Sequence, residues 1–267
     1  KESSTIGRDT PPDAKRIPLQ TRAVYLTHLY IIRHGQAISV VQKTTGDPGL
    51  SPLGVKQAER LRDRLAASGE IAADILISST MLRAKQTAEI IAPALGLPIV
   101  FDDEVQEERP GEALNMSERE FRAKFGAVAF EQKPFFRIAP GAETWVEFAL
   151  RAGTALKRIT HEHEGKTIVI VCHGGIVDSS FLLFFGLSSL QFPPIFFETH
   201  NTSITHWYKE PLDLFEELHI PEAWILERYN DAFHLRDLDS PVSIPWKDIA
   251  ASPVTGIEAS KSQTEAE

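Results

Sequence analysis

The chain has 267 residues, 42% of them hydrophobic, with 28 Lys and Arg against 37 Asp and Glu and a formal net charge of -9. This length suits one large α/β domain or two small ones, and this charge excludes a general nucleic-acid binder, which needs a basic face, while leaving room for a local basic cleft. A lone cysteine, Cys172, rules out an intrachain disulfide and a cysteine-rich metal site.

Residues 1–22 are rich in Lys, Ser, Thr, Asp and Pro and read as an extended arm, with the domain expected over 23–236. The N-terminus carries no signal-peptide core, so a cytoplasmic location is the default expectation; the chain starts at Lys1, not Met, which leaves room for a removed leader. The apolar run from Thr27 to Arg33 predicts a buried strand, and Gly35 lets the backbone turn after Arg33-His34. A loop with the turn residues Gly46-Asp47-Pro48-Gly49 follows. Ser51 is a good N-cap and Pro52 fits the first helical position. Val55, Ala58, Leu61 and Leu65 then repeat at helical spacing through Ala66, and Gly69 is the expected stop. Asp74 to Ser79 predicts a second buried strand, Met81 to Leu95 a second helix closed by Gly96, and Pro98 to Phe101 a third, short strand. Strands alternating with helices predict an α/β fold with a mainly parallel sheet covered on both faces.

The alternation breaks at Asp102. Over 102–141 charges mix with irregularly spaced aromatics (Phe121, Phe125, Phe130, Phe135 and Phe136), and Ser117 with Glu120 forms a capping box for a helix through Lys124. This excursion is expected to pass over the active site, as a lid or as a plain packed insertion. A long helix is expected over Ala142 to His163, stopped by Gly165. Thr167 to Cys172 is the most strand-like run in the chain; it ends in His173-Gly174-Gly175, and a helix is expected from near Ile176. Thr202 to Tyr208 and Trp224 to Tyr229 predict two more strands, and 237–267 reads as a polar tail in which Trp246 is the residue able to dock. No apolar run reaches membrane-span length: Phe181 to Leu187 is too short. There is no internal repeat.

Two strands thus end in the same device, Arg33-His34-Gly35 and Cys172-His173-Gly174-Gly175. Carboxyl ends of strands are where α/β sheets place their chemistry, and neighbouring parallel strands would bring His34 and His173 together across a crevice. Arg83, just inside the helix after another strand, would share that sheet edge. Taken singly, Arg83 is an exposed helix arginine and His173 a satisfied strand-end histidine. Taken together, two arginines and two histidines suit one small, multiply charged oxyanion, phosphate above all, because arginine forks match phosphate oxygens in pairs and stay charged.

The chain resembles the histidine phosphatase superfamily, with its phosphoglycerate mutase-like three-layer α/β/α sandwich. Arg33-His34-Gly35-Gln36 is similar to the nucleophile motif, and Leu50-Ser51-Pro52-Leu53-Gly54 to the helix start that follows. Ser78 to Ala88 resembles the second-arginine motif, Val105-Gln106-Glu107 with Gly111 the acid segment, and Gly141-Ala142-Glu143-Thr144 the next helix start. Val171 to Gly175 resembles the second-histidine motif, and Asn201 to Ile204 and Tyr229-Asn230-Asp231 are similar to segments of phosphatase members. The resemblance spans Leu29 to Leu235.

It implies two-step phosphoryl transfer in which His34 attacks phosphorus, Arg33, Arg83, His173 and Gln36 hold the phosphoryl oxygens, and His173 also takes part in catalysis. Glu107 is the expected general acid and later base, with Glu104 and Glu108 nearby as rivals. The arginines do the charge work, so no metal and no cofactor are expected. His161-Glu162-His163 reads as a solvated helix end and not as a metal site. Partners are expected to be a small phosphorylated substrate and inorganic phosphate, with no nucleic acid and no membrane; the oligomeric state stays open, a dimer included.

Two positions depart from the family pattern, Ala37 and Val40, where Thr and Asn are common; both changes make the pocket entrance less polar and weaken a mutase reading. Arg109, Arg119, Arg122, Lys124 and Arg137 are the basic residues with which the excursion could still serve a mutase, whereas its phenylalanines suggest a partly apolar leaving group. The expected function is therefore a metal-independent phosphomonoesterase, with a phosphoglycerate mutase-type isomerase and a non-catalytic phospho-ligand-binding protein as alternatives.

Overall fold

The computed structural model describes residues 26–39, 46–126, 134–188, 190, 197–210 and 222–238. The expected arm, Val40, Phe130 and the tail with Trp246 lie outside the described residues.

Among these residues six strands form one sheet: β1 (Thr27–Arg33), β2 (Ile75–Ser79), β3 (Ile99–Asp102), β4 (Thr167–Cys172), β5 (Ile204–Glu210) and β6 (Ala223–Asp231). Their order is β3-β2-β4-β1-β5-β6. β1 pairs in parallel with β4, and β2 in parallel with both β3 and β4; β5 runs antiparallel to β1 and to β6. The helices are α1 (Pro52–Ser68), α2 (Leu82–Leu95), α3 (Glu118–Phe125), α4 (Trp145–Glu162) and α5 (Gly174–Phe184). This is a three-layer α/β/α arrangement with a mostly parallel sheet.

Side-chain alternation along the strands builds the two cores. Leu29, Ile31, Ile168 and Ile170 pack with Phe148, Leu156, Ile176 and Phe181 of α4 and α5. Tyr30, Ile32, Val169 and Val171 pack with Leu61, Leu65, Ala84 and Ile91 of α1 and α2. The same alternation, carried one residue past each strand, sends His34 and His173 toward the α2 side and Arg33 toward the α5 side.

The local signals act as their chemistry dictates. Ser51 Oγ accepts the Gly54 N–H at the start of α1, and Gly69 ends α1 in the left-handed region, φ 60°. Ser117 and Glu120 make the expected capping box of α3. Several boundaries differ. α4 starts at Trp145, not Ala142, because Thr144 and Glu147 form a second capping box. α5 starts at Gly174, two residues before Ile176, so both glycines after His173 belong to its first turn. β5 starts at Ile204, because Thr202 takes a left-handed φ of 57°. α4 ends at Glu162 with His163 as its C-cap, which places His161-Glu162-His163 at a helix end. Among the described residues no helix is long and apolar enough to cross a membrane.

Candidate active site

The turn after β1 is pinned at every backbone N–H. Arg33 N donates to Ser203 O and His34 N to Cys172 O, extending the ladder to β4. Gly35 N donates to Thr87 Oγ1 of α2 at 3.0 Å, and Gln36 N to Gln57 Oε1 of α1 at 2.8 Å. On the other side, Thr202 N donates to Arg33 O and Asn201 Nδ2 to His34 O at 2.8 Å. Buried backbone groups need partners, and four separate elements supply them here, so the turn has one conformation. Gly35 is required by packing: a Cβ there would come 2.5 Å from Gly54 O, where the start of α1 crosses the turn.

His34 is buried. Its Nδ1 lies 2.6 Å from Gly35 O, and Arg83 Nε lies 3.0 Å from its Nε2. A carbonyl can only accept and a guanidinium can only donate, so the proton sits on Nδ1 and the lone pair on Nε2. Burial, then the charges of Arg83 and Arg33, hold His34 well below the usual histidine range, which keeps the ring neutral.

His173 lies across the crevice, its ring centroid 5.1 Å from that of His34. It is fully buried, its Nε2 is 2.8 Å from Ser79 Oγ at the end of β2, and its Nδ1 has no partner. Burial, then Arg83, push its pKa well below the histidine range.

The two arginines approach from opposite faces of the sheet. Arg83 is held by Asp47, whose Oδ1 accepts from Arg83 Nη1 and from its backbone N at 3.2 Å each. The turn-rich 46–49 loop thereby aims an arginine of α2. Arg33 donates to Thr199 O, while its buried Nε has no partner. Burial is the main reason its pKa falls to about 10, against the opposing pull of Glu107 and Asp178; the group stays charged at neutral pH.

Glu107 joins from the loop after β3. Its Oε2 accepts the Gly175 N–H at 3.1 Å, at the N-terminus of α5, and its Oε1 accepts the Glu108 N–H at 3.2 Å. Gly175 is a glycine for this reason, since a Cβ would collide with Glu107 Oε1 and come 2.7 Å from the Phe148 ring. Arg151 of α4 holds the segment by donating to Glu104 O, Gln106 O and Glu107 O, and is itself forked by Glu143. Glu104 instead faces outward to Arg109, 3.5 Å away.

All six residues singled out in the sequence therefore lie around the carboxyl ends of β1, β4 and β2. Gln36 does so with its side chain engaged: Ser51 Oγ, which accepts from Gly54 N, gives its own proton to Gln36 Oε1 at 2.8 Å, leaving the amide nitrogen as its donor end. Two of the excursion's phenylalanines are committed elsewhere, while Phe135 and Phe136 are exposed. Phe121 and Phe125 pack on Ala113, Ala139 and Ala142 in a small core of their own, so neither is free to line the site.

The sequence reading singled out neither Ser79, which lies inside the second-arginine motif, nor Arg151, which carried no local signal; the partners of both are far along the chain. An open groove of about 670 Å³ lined by Arg60, Arg64, Asp231 and His234 lies apart from these residues. Its Arg64 is already taken up by Glu70 and Asp231.

Comparison with known proteins agrees with this arrangement. Residues 29–214 match the model of the histidine phosphatase superfamily (branch 1). The chain is 31% identical over 159 residues, 57% of its length and 68% of the relative's, to phosphoglycerate mutase-like protein 4 of Arabidopsis thaliana. It is 25% identical to the metal-independent phosphoserine phosphatase of the same plant over 79% of this chain and 84% of that protein. Among solved structures, Bacillus stearothermophilus YhfR superposes with a TM-score of 0.62 at 28% identity, covering 78% of this chain and 99% of that one. A mycobacterial glucosyl-3-phosphoglycerate phosphatase shares the fold, with a TM-score of 0.61 at 23% identity over 76% of this chain and 98% of that one. With nucleophile-type, arginine and second-histidine motifs converging on one crevice and the family model covering most of the chain, this protein belongs to the histidine phosphatase superfamily, branch 1.

Proposed function

We propose that this protein is a phosphomonoesterase that works through a phosphohistidine at His34, without a metal. The observation that carries the reading is the tautomer of His34: Gly35 O accepts the hydrogen bond from Nδ1–H and leaves the Nε2 lone pair facing Arg83 in the crevice. A neutral imidazole held in this way is a competent nucleophile.

In the first step Nε2 attacks phosphorus in line and the bond to the leaving oxygen breaks. Arg33, Arg83, His173 and the Gln36 amide meet the charge on the phosphoryl oxygens. Glu107 protonates the leaving alcohol. In the second step Glu107 takes a proton from water, which attacks the phosphohistidine and releases inorganic phosphate.

The substrate class is a small phosphorylated metabolite with an alcohol leaving group, in keeping with the phosphoserine and glucosyl-phosphoglycerate phosphatases among the similar proteins. A mutase reading has support in the names of other relatives, such as the phosphoglycerate mutase-like plant protein. Against it, three of the extra cations available are already matched: Arg109 by Glu104, Lys124 by Glu112, and Arg137 by Glu147.

A phosphate-release screen over sugar phosphates, phosphoglycerates, phosphoserine, nucleotides and aryl phosphates tests the reading. Stoichiometric phosphate release is expected. Isomerised phosphoglycerate without phosphate release would replace phosphatase by mutase, and phosphate binding without turnover of any ester would replace both by a ligand-binding role.

A further inference from the structure

Two motifs singled out in the sequence, Asn201 to Ile204 and Tyr229-Asn230-Asp231, have no part in the steps above. The sheet brings them together. β6 pairs with β5 with Asp231 opposite Ile204, so Asn230 stands beside the segment that enters β5. Asn230 takes a left-handed φ of 55°, a region that asparagine enters more readily than most residues. Its neighbours are fixed on both sides. The Tyr229 ring packs edge-on against Phe181 of α5, centroids 5.2 Å apart, and Asp231 accepts from Arg64 of α1 at 2.6 Å.

From this footing the Asn230 side chain grips the chain on either side of Thr199. Its Oδ1 accepts the His200 N–H at 2.7 Å, and its Nδ2 donates to Glu198 O at 2.6 Å. The Tyr229 hydroxyl also donates to Glu198 O, at 2.7 Å. His200 N and Thr199 O belong to one peptide group. That group is planar and trans, so its N–H and its C=O point in opposite directions. Asn230 takes the N–H, and the carbonyl at the other end takes the Arg33 guanidinium.

The two arginines of the site are thus aimed by different means. Arg83 is held by the Asp47 carboxylate. Among the described residues Arg33 forms no ion pair, and the one hydrogen bond of its guanidinium goes to Thr199 O. The direction of that carbonyl therefore decides where the Arg33 fork points.

We propose that Asn230 is a positioning residue for Arg33: it fixes the Thr199–His200 peptide, whose carbonyl aims the guanidinium into the crevice. The inference rests on the phosphatase reading for what Arg33 does there and goes beyond it, since the Asn230 side chain bonds only to the backbone of residues 198 and 200.

The test is a double-mutant cycle, read as the Kd of inorganic phosphate and as kcat/KM on an ester from the release screen. Asn230→Gly keeps the left-handed backbone without steric cost and removes the amide. In the wild-type background it is expected to weaken phosphate binding and to lower kcat/KM by about tenfold each, the scale of a binding group moved out of line. In an Arg33→Ala background the same substitution is expected to change neither, because residues that act through one another are not additive. A merely structural role would give the same loss in both backgrounds. That result overturns the proposal, and so does an unchanged Kd and kcat/KM in the wild-type background.

If Asn230→Gly does not fold, nuclear magnetic resonance of the wild-type protein decides. The His200 amide should be protected from hydrogen exchange. The Arg33 Nη protons, assigned by their loss in Arg33→Lys, should be resolved from one another by slow rotation of a held guanidinium. Free exchange at His200 or averaged Arg33 signals overturn the clip. These readouts need neither phosphate nor turnover. They stand apart from a failure of the phosphatase reading, which would appear as no phosphate release from any ester by wild type while the clip is intact.

Discussion

Arg83 Nε donates to His34 Nε2 at 3.0 Å, directly onto the ring's lone pair. The contact selects the tautomer that the proposed mechanism needs and at the same time occupies its lone pair. In that mechanism a phosphoryl group entering the crevice would offer the guanidinium anionic oxygens, a stronger partner than a neutral ring nitrogen, and so release the lone pair for in-line attack.

His34→Ala is expected to lower turnover by roughly 10⁴-fold or more, as removal of a covalent nucleophile does, and to abolish an acid-labile, base-stable phosphoenzyme in rapid-quench experiments. Arg83→Ala should cost about 10²–10³ in kcat/KM through lost charge stabilisation. Arg83→Lys should rescue little of it, because an ammonium cannot fork two oxygens. Near-wild-type hydrolysis by His34→Ala would end the covalent mechanism.

Gly175→Ala tests the seat of Glu107. No left-handed φ is required at this position, so the cost is purely one of space against Glu107 Oε1 and the Phe148 ring. Overpacking of this kind costs about 1–3 kcal/mol. Because the carboxylate is what must move, kcat on an alkyl ester should fall about tenfold with KM little changed. Steady-state kinetics with a thermal melt would reveal the alternative, a fall in stability with kcat intact.

Arg151 joins α4 to the Glu107 segment and is matched by Glu143, and both side chains are largely buried, 8% and 13% exposed. Burial alone would raise the Glu143 carboxyl, and the hydrogen bonds from Arg151 and from the Arg109 backbone outweigh it. Arg151→Ala strips that carboxylate of its arginine fork, leaving it the Arg109 N–H, and should cost about 3 kcal/mol in urea unfolding. Less than about 1 kcal/mol would mean that solvent replaces the arginine.

The two buried histidines predict a pH dependence of stability. Burial, then the neighbouring arginines, depress both in the folded state, while in the unfolded chain they titrate near 6.5. Above about pH 6.5 neither state binds the proton and their contribution is flat. Below it the unfolded chain takes up protons that the fold refuses, so stability falls as pH drops toward the folded values, by up to about 1.4 kcal/mol per histidine per pH unit. Melting at pH 7.5, 6.5 and 5.5 should show this fall, and His34→Ala should show a shallower one. Equal slopes for the two proteins would remove His34 as a contributor.

Much of the architecture was legible because its signals are local. β1 occupies the predicted residues, Ser51 and Ser117 cap the helices they were expected to cap, and Gly69 and Gly96 end theirs in the left-handed region. The helix after β4 starts two residues before Ile176, because packing of α5 on the sheet recruits both glycines into it. Aromatic content by itself did not say where each ring goes: Phe121 and Phe125 pack on each other and on a patch of alanines, whereas Phe135 and Phe136 stay exposed.

The sequence by itself determined the elements, the family and the identity of the charged residues at strand ends, because periodicity, capping and motif spacing all act within a few residues. Only the tertiary structure decided that β4 inserts between β1 and β2, bringing His173 beside His34 and onto Ser79 across 94 residues of chain. It also decided that Glu107 is tied to α5 across 68 residues while Glu104 turns away, and that Asp178 is left among charges with an unpaired oxygen. Such contacts depend on which strands pair and which faces pack. That choice is made by burying whole surfaces at once, so no short stretch of sequence contains it.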